Sequence, residues 1–425
     1  MKVSYMAQHL IGSEIIRIAA SVNELIAKGE KICNLTIGDF EPKYFPIPEE
    51  YKNAITDAYN KGETNYPAAN GIAPLRNAVS KFLSEYEKLS YSPDEILISA
   101  GARPLIYGVF VTLIDKGDTV IYPVPSWNNN HYVHITGAKG IPVDVKAENN
   151  FLPVADDFRS HLKDATLVSL CSPLNPTGTT ISQEQLEGIC DLIIEENKRR
   201  GEKQKPLYLL YDQIYWLLTF GEHTHFNPVS LRPEMKKYTV FIDGMSKAFA
   251  STGVRVGWAF GPKEVIERMK AILSHLGAWA PKAEQVATAN FLTKNTAINN
   301  YLTLFKNKIE ERLTVLYDGL INLKEEGYPV DAIVPMAAIY LTARFDLIGK
   351  MGVDGKIFKD STDITDFLLH KAKMAVVPFY AFGASINNAW FRLSVGAVTV
   401  EEIKGVLGNL REALETLKAV EVERG

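Results

Sequence analysis

The sequence predicts an α/β protein built on a mostly parallel sheet, followed by a smaller α+β unit. Three observations carry this. Between residues 95 and 260 a short apolar run, a turn-like break and an amphipathic stretch recur, which is the βα alternation of a parallel sheet. Several of the runs are apolar throughout instead of alternating, as in strands buried on both faces. After about residue 262 the pattern changes to long amphipathic helices and then to a short mixed segment.

The expected strands are 95–99, 119–122, 140–145, 165–170, 207–211, 238–242 and 254–260. Helices fill the gaps, as over 183–200, where the polar segment NKRRGEKQK reads as a solvated loop. Two helices follow, 262–275 and 281–326, the second broken near Asn295. The smaller unit holds a strand at 339–345, a helix at 363–373, strands near 375–378 and 390–394, and a closing helix at 400–419. At roughly 150 residues per domain, 425 residues suggest two or three domains.

A composition of 46% hydrophobic and 23% charged residues excludes disordered, collagen-like and disulfide-scaffold classes. The net charge of −4, without long single-sign runs, argues against a nucleic-acid or membrane-surface partner. Cys33, Cys171 and Cys190 are an odd number without CxxC spacing, so neither a disulfide framework nor a zinc site is indicated. The longest apolar run, 104–114, falls short of the ~18 residues of a membrane span. No signal-peptide core stands in residues 1–11, so the cytoplasm is expected. Small-molecule chemistry is the default expectation.

In open α/β sheets ligands gather at the carboxyl ends of strands, so the polar residues that end apolar runs matter most. Four places stand out. In SAGARP (99–104) small residues end a strand and open a helix whose N–H groups can hold phosphate, although an ordinary tight turn explains them too. In SPLNPTG (172–178) two prolines, an Asn and a Gly force an irregular loop that can aim an amide at a ligand or serve as a structural turn. Asp212 ends the run PLYLLY, where a carboxylate must be paired, functional or a helix cap. The fourth is FIDGMSKAFASTGVRVGWAFG (241–261). There Lys247 stands among Gly244, Ser246, Ala248, Ala250 and Ser251, a setting suited to a desolvated nucleophilic amine, with Arg255 as a nearby cation or anion binder. The pairs His131/His134 and His223/His225 lack further ligands at metal spacing and read as surface or packing histidines.

SPLNPTG, Asp212 with Tyr215, SKAFASTGVRVGW and FRLSVG, in this order, resemble the class I/II aminotransferases of fold type I, which use pyridoxal 5'-phosphate. The match runs from IGDFEPKYF (37–45) to FRLSVG (391–396). The resemblance implies a three-layer αβα large domain over 46–295 and a small domain made of 1–45 and 296–425. It makes Lys247 the Schiff-base lysine and proton shuttle, and Asp212 the partner of the pyridine nitrogen. Tyr215 and Asn175 would bond the ring's phenolic oxygen, and Trp127 would stack on the ring. Gly101, Ala102 and Arg103 would hold the phosphate through backbone N–H groups, with Ser246 and Arg255 adding side chains. Tyr66 would reach the cofactor of a neighbouring subunit, implying a homodimer with shared sites. Arg392 would clamp the substrate α-carboxylate, helped by the Asn175 amide and the Gly38 backbone. Cis peptides are implied at Asn175-Pro176 and Val124-Pro125.

The reaction so implied moves an amino group between an L-amino acid and a 2-oxo acid in a ping-pong cycle. A β-lyase for cysteine conjugates on the same fold is the alternative, because both share the cofactor-holding motifs. Two departures bear on the substrate. SHLGAWAPKAEQ lacks an arginine that some aspartate aminotransferases place there, and Ile11 stands where another subgroup has a lysine. Arg103 aligns with a residue that some relatives use for dicarboxylic substrates, which keeps an acidic donor open, while Trp279 suits an aromatic or aliphatic one.

Overall fold

The structure, a computed structural model, describes residues 3–10, 12, 14–352 and 355–417. Ile11 and the end of the expected final helix lie outside the described residues. Seven strands form the large sheet: β1 (Ile96–Ser99), β2 (Thr119–Val124), β3 (Lys139–Asp144), β4 (Ala165–Cys171), β5 (Tyr208–Asp212), β6 (Thr239–Gly244) and β7 (Gly257–Phe260). Their order is β1-β7-β6-β5-β4-β2-β3. Four neighbouring pairs are parallel, and β7 runs antiparallel to both β6 and β1. The connection 245–256 holds a single helical turn, Met245–Ala248, and β7 returns antiparallel beside β6.

Consecutive side chains on these strands enter opposite cores. Leu97, Val120, Leu167, Leu210, Val240 and Ala259 pack with Val109 and Phe110 of helix Ala102–Leu113 and Met269 of helix Lys263–His275. Their neighbours Ile98, Ile121, Val168, Leu209, Phe241 and Phe260 pack on the other face with Val79, Leu186 and Phe291. The result is three layers, α/β/α, and it explains why most of these strands read as unbroken apolar runs.

The smaller sheet contains β8 (Val330–Ala332), β9 (Tyr340–Phe345), β10 (Val377–Pro378) and β11 (Trp390–Ser394), ordered β10-β11-β9-β8 and wholly antiparallel. The N-terminal segment joins it, because Cys33–Asn34 pairs in parallel with Met374–Ala375, and Leu35, Phe40 and Phe45 enter its core. One helix, Asn295–Glu325, serves both cores: Ile298 and Leu302 face the large sheet, and Phe305 to Leu323 face the small one.

Several boundaries differ from expectation. The strand expected at 254–260 begins only at Gly257, since Arg255 takes a left-handed φ of 61° that no strand accommodates. The helix expected at 363–373 is Ser361–His370, because Asp360 caps it by accepting from the N–H groups of Thr362 (2.8 Å) and Asp363 (3.4 Å), and Lys373 turns left-handed. The break near Asn295 separates helices Lys282–Phe291 and Asn295–Glu325. Helix Gln183–Arg200 carries a Ser182/Gln185 capping box. Among the described residues no helix is long and apolar enough to cross a membrane.

Candidate active site

The carboxyl ends of β4, β5 and β6 open into a cavity of about 700 Å³ that the segment 36–39 and strands β9 and β11 close from the other side. Lys247 sits on the single helical turn Met245–Ala248 directly after β6, and its Nζ donates to the Gly38 carbonyl at 2.6 Å. Burial pushes this amine down to about 8; Asp39 opposes the shift, while Arg392, Arg103 and Arg255 add to it. A lysine so placed is partly neutral, and hence nucleophilic, near physiological pH.

Asp212 closes β5. Its Oδ1 accepts from the Ile214 N–H at 3.1 Å, and burial raises its pKa to about 6 against that bond and the charge of Lys247. Three residues further on, Tyr215 shares a 2.6 Å hydrogen bond with the hydroxyl of Tyr340 from β9. Burial holds both phenols above their ordinary range.

Arg392 on β11 is buried. It stands opposite Thr342 of β9 and Val377 of β10, donates to Asn175 Oδ1 at 3.0 Å and to the Thr36 carbonyl at 2.7 Å, and keeps its Nε unpartnered among the described residues. The Tyr340 and Phe382 rings lie 4.7 and 5.0 Å from its guanidinium. A buried guanidinium with a donor to spare is suited to a carboxylate ligand. The loop that aims Asn175 has cis peptides at Ser172-Pro173 and Asn175-Pro176, and Val124-Pro125 beside Trp127 is also cis.

The start of helix Ala102–Leu113 forms an anion cradle. Gly101 has a φ of 88°, and a β-carbon there would lie 2.3 Å from an Arg255 nitrogen. Its own N–H donates to the Ser99 carbonyl at 2.7 Å, and its missing side chain leaves the room that the Arg255 guanidinium fills. The N–H groups of Ala102 and Arg103 remain. Ser246 lines the same wall, and Arg255 reaches it from a left-handed backbone, held by the Thr252 (2.6 Å) and Ala100 (2.9 Å) carbonyls. Gly257 lets β7 approach this helix start, since a β-carbon there would lie 2.7 Å from the Gly101 carbonyl carbon. The Arg103 guanidinium lies over the Trp127 ring at 4.6 Å.

Lys247, Asp212, Tyr215, Asn175, Arg392, Gly38, Ala102, Arg103, Trp127, Ser246 and Arg255 therefore meet in one cavity. Tyr66 does not join them: it is 82% exposed and packs edge-on against Trp279, 5.2 Å away. Sequence reasoning missed Tyr340, whose only mark is a tyrosine opening an apolar strand, and Asp39, inside a motif noted for Gly38 alone. His131, read as a surface or packing histidine, lines the cavity as a half-buried ring whose pKa burial lowers. His225 fits its packing role: the residue is half-buried against Tyr211 and Trp216, both ring nitrogens are without a hydrogen-bond partner among the described residues, and burial lowers its pKa to about 3.

A family model described as aminotransferase class I and II matches residues 30–410. Aspartate aminotransferase of Rhizobium meliloti (strain 1021) is 30% identical over 96% of this chain and 93% of its own length. A probable aspartate/prephenate aminotransferase of Aquifex aeolicus is 29% identical over 96% and 98%. Among solved structures, the Rhizobium meliloti aspartate aminotransferase superposes with a TM-score of 0.89 at 28% identity, covering 98% of this chain and 100% of that one. The Thermus thermophilus aspartate aminotransferase with maleate gives 0.86 at 28% identity over 97% and 100%. These similarities do not favour the β-lyase alternative. The chain, in whose cavity a buried amine, an acid and an arginine converge, belongs to the class I and II aminotransferases.

Proposed function

We propose that this aminotransferase holds pyridoxal 5'-phosphate in the 700 Å³ cavity and takes the amino group from an acidic L-amino acid, aspartate first, passing it to a 2-oxo acid. The observation that carries the reading is the convergence of Lys247, Asp212 and Arg392 on one space. The residues fit the cofactor at both ends. The cradle beside Gly101 suits a phosphate, and the half-buried Asp212 carboxylate, met only by its own turn and the distant charge of Lys247, suits a protonated ring nitrogen. When bound, the cofactor supplies a carbonyl carbon for amines and a ring that accepts electrons from the substrate's α-carbon. Asp212 keeps the ring nitrogen protonated, Trp127 covers the ring, and Tyr215 and Asn175 bond its phenolic oxygen. Arg392 and Asn175 hold the substrate α-carboxylate with the Gly38 backbone, which orients the Cα–H bond. Lys247 Nζ takes the α-proton and later returns it.

The acidic donor is supported by the aspartate aminotransferases among the relatives and by the Arg103 guanidinium on the cavity wall. Mixing the cofactor-loaded protein with L-aspartate alone is expected to bleach its visible band and yield one oxaloacetate per site without free ammonia. Adding 2-oxoglutarate then restores the band. Release of ammonia with the band intact is the lyase result and overturns the reading.

The exposed Tyr66 supports a homodimer in which this ring reaches the partner's cofactor, so sedimentation at twice the chain mass is expected; a monomeric, fully active enzyme counts against it. The division into 46–295 and 1–45 with 296–425 is supported by the two cores and by the helix Asn295–Glu325 that serves both, and limited proteolysis that cuts elsewhere opposes it. Unpaired Cys33, Cys171 and Cys190 support the cytoplasm, which cell fractionation checks.

A further inference from the structure

Four consecutive residues form a rail along one side of the cavity. The Thr36 carbonyl accepts from Arg392 (2.7 Å), the Ile37 carbonyl from Ser394 Oγ (2.6 Å) and the Gly38 carbonyl from Lys247 Nζ (2.6 Å). The Asp39 carboxylate accepts from Thr252 Oγ1 at 2.8 Å and from the Phe40 N–H at 2.8 Å. One short segment thus touches both the group that reads the substrate carboxylate and the reactive amine.

An amino-acid substrate arrives as a zwitterion, and the site described so far accounts only for its carboxylate. Its nitrogen must come to the place where Lys247 Nζ lies, because the two amines take turns at one carbon of the cofactor. Whatever faces the Lys247 ammonium therefore faces the substrate's. The charged groups around this point are Arg103, Arg255 and Arg392 on the cationic side and Asp39 and Asp212 on the anionic side. Asp212 serves the ring nitrogen. Glu14, also on the cavity wall, is taken by Arg17 at 2.9 Å and by the Tyr380 hydroxyl. That leaves one carboxylate. We propose that Asp39, next in sequence to the carbonyl that holds Lys247, receives the substrate's α-ammonium group and draws the amino donor, but not the oxo acid, into the site. This rests on the aminotransferase reading with an amino-acid donor given above. The same acid opposes the other charges acting on Lys247, favouring its ammonium form.

Asp39→Asn tests this, since the amide oxygen still accepts from Thr252 and from Phe40 while the charge is gone. In the two half-reactions followed separately, KM for L-aspartate is expected to rise about tenfold, with KM for oxaloacetate changing less than twofold. The pair L-alanine and pyruvate should split the same way. Calorimetry gives a readout free of turnover: affinity for 2-methyl-L-aspartate, which keeps the ammonium but has no α-proton, should fall about tenfold, and affinity for succinate, which has no ammonium, should hold or rise. Equal losses for amino and oxo acids would make Asp39 a structural latch to Thr252 and overturn the proposal, as would no change in either. A native enzyme that reacts with no amino acid at all overturns the aminotransferase reading itself, which is a separate result.

Discussion

Replacing Lys247 with alanine is expected to lower turnover by at least ~10⁴-fold, because it removes the nucleophilic amine and the base that moves the α-proton together. Borohydride treatment of the cofactor-loaded native protein should add the mass of the reduced cofactor to the peptide containing Lys247, and the alanine variant should gain none. Labelling of another lysine, or turnover that survives in the variant, would remove Lys247 from the mechanism. The pH dependence follows from the direction of its shift. Burial brings the amine down to about 8, and only the neutral form attacks a carbonyl. The rate at which cofactor-free protein captures pyridoxal 5'-phosphate should therefore climb with pH, pass its midpoint near 8 and level off. An exposed lysine would keep climbing toward about 10.4.

Asp212→Asn carries the second large effect, and it acts in opposite directions on activity and stability. In the loaded enzyme the amide cannot stabilise a protonated ring nitrogen, so turnover should fall by about 10²–10³-fold. In the cofactor-free protein the carboxylate is a cost. Its pKa rises to about 6 on folding, whereas an unfolded aspartate titrates near about 3.9. A carboxyl whose folded pKa is raised destabilises the fold wherever the charged form prevails, so the cost is full above pH 6 and vanishes below about 4. Urea unfolding of the cofactor-free variant at pH 8 should accordingly show a gain of about 3 kcal/mol over the native chain, shrinking to nearly nothing by pH 4. A loss of stability at pH 8 would mean that Asp212 is paired with a cation in the empty site.

Much of the fold was legible because it depends on local periodicity. The mainly apolar runs of β4 and β6 mark strands covered on both faces, and the Ser182/Gln185 box marks the first turn of helix Gln183–Arg200 within the sequence itself. Lys247 and Asp212 were legible for a related reason. Each is a charged residue placed directly after an apolar strand, where an α/β sheet opens to ligands. The edges of elements were harder. The first three residues of the strand expected at 254–260 are not strand, because Arg255 bends back to the Thr252 and Ala100 carbonyls, one of them distant in sequence.

By itself, the sequence determined the layered α/β architecture and singled out Lys247, Asp212 and Arg392 as candidates. Only the tertiary structure decided how these are wired. Tyr215 is bonded to Tyr340, Asn175 to Arg392, and Lys247 to Gly38, pairs separated by 125, 217 and 209 positions. It also showed that Gly101 leaves room for Arg255, and that Asp39 and His131 face the cavity. Periodicity reports which way a side chain points from its own helix or strand. Hydrogen-bond partners in this cavity arise where the segment 36–39 and the small sheet close over the ends of the large one, and no local pattern encodes that meeting.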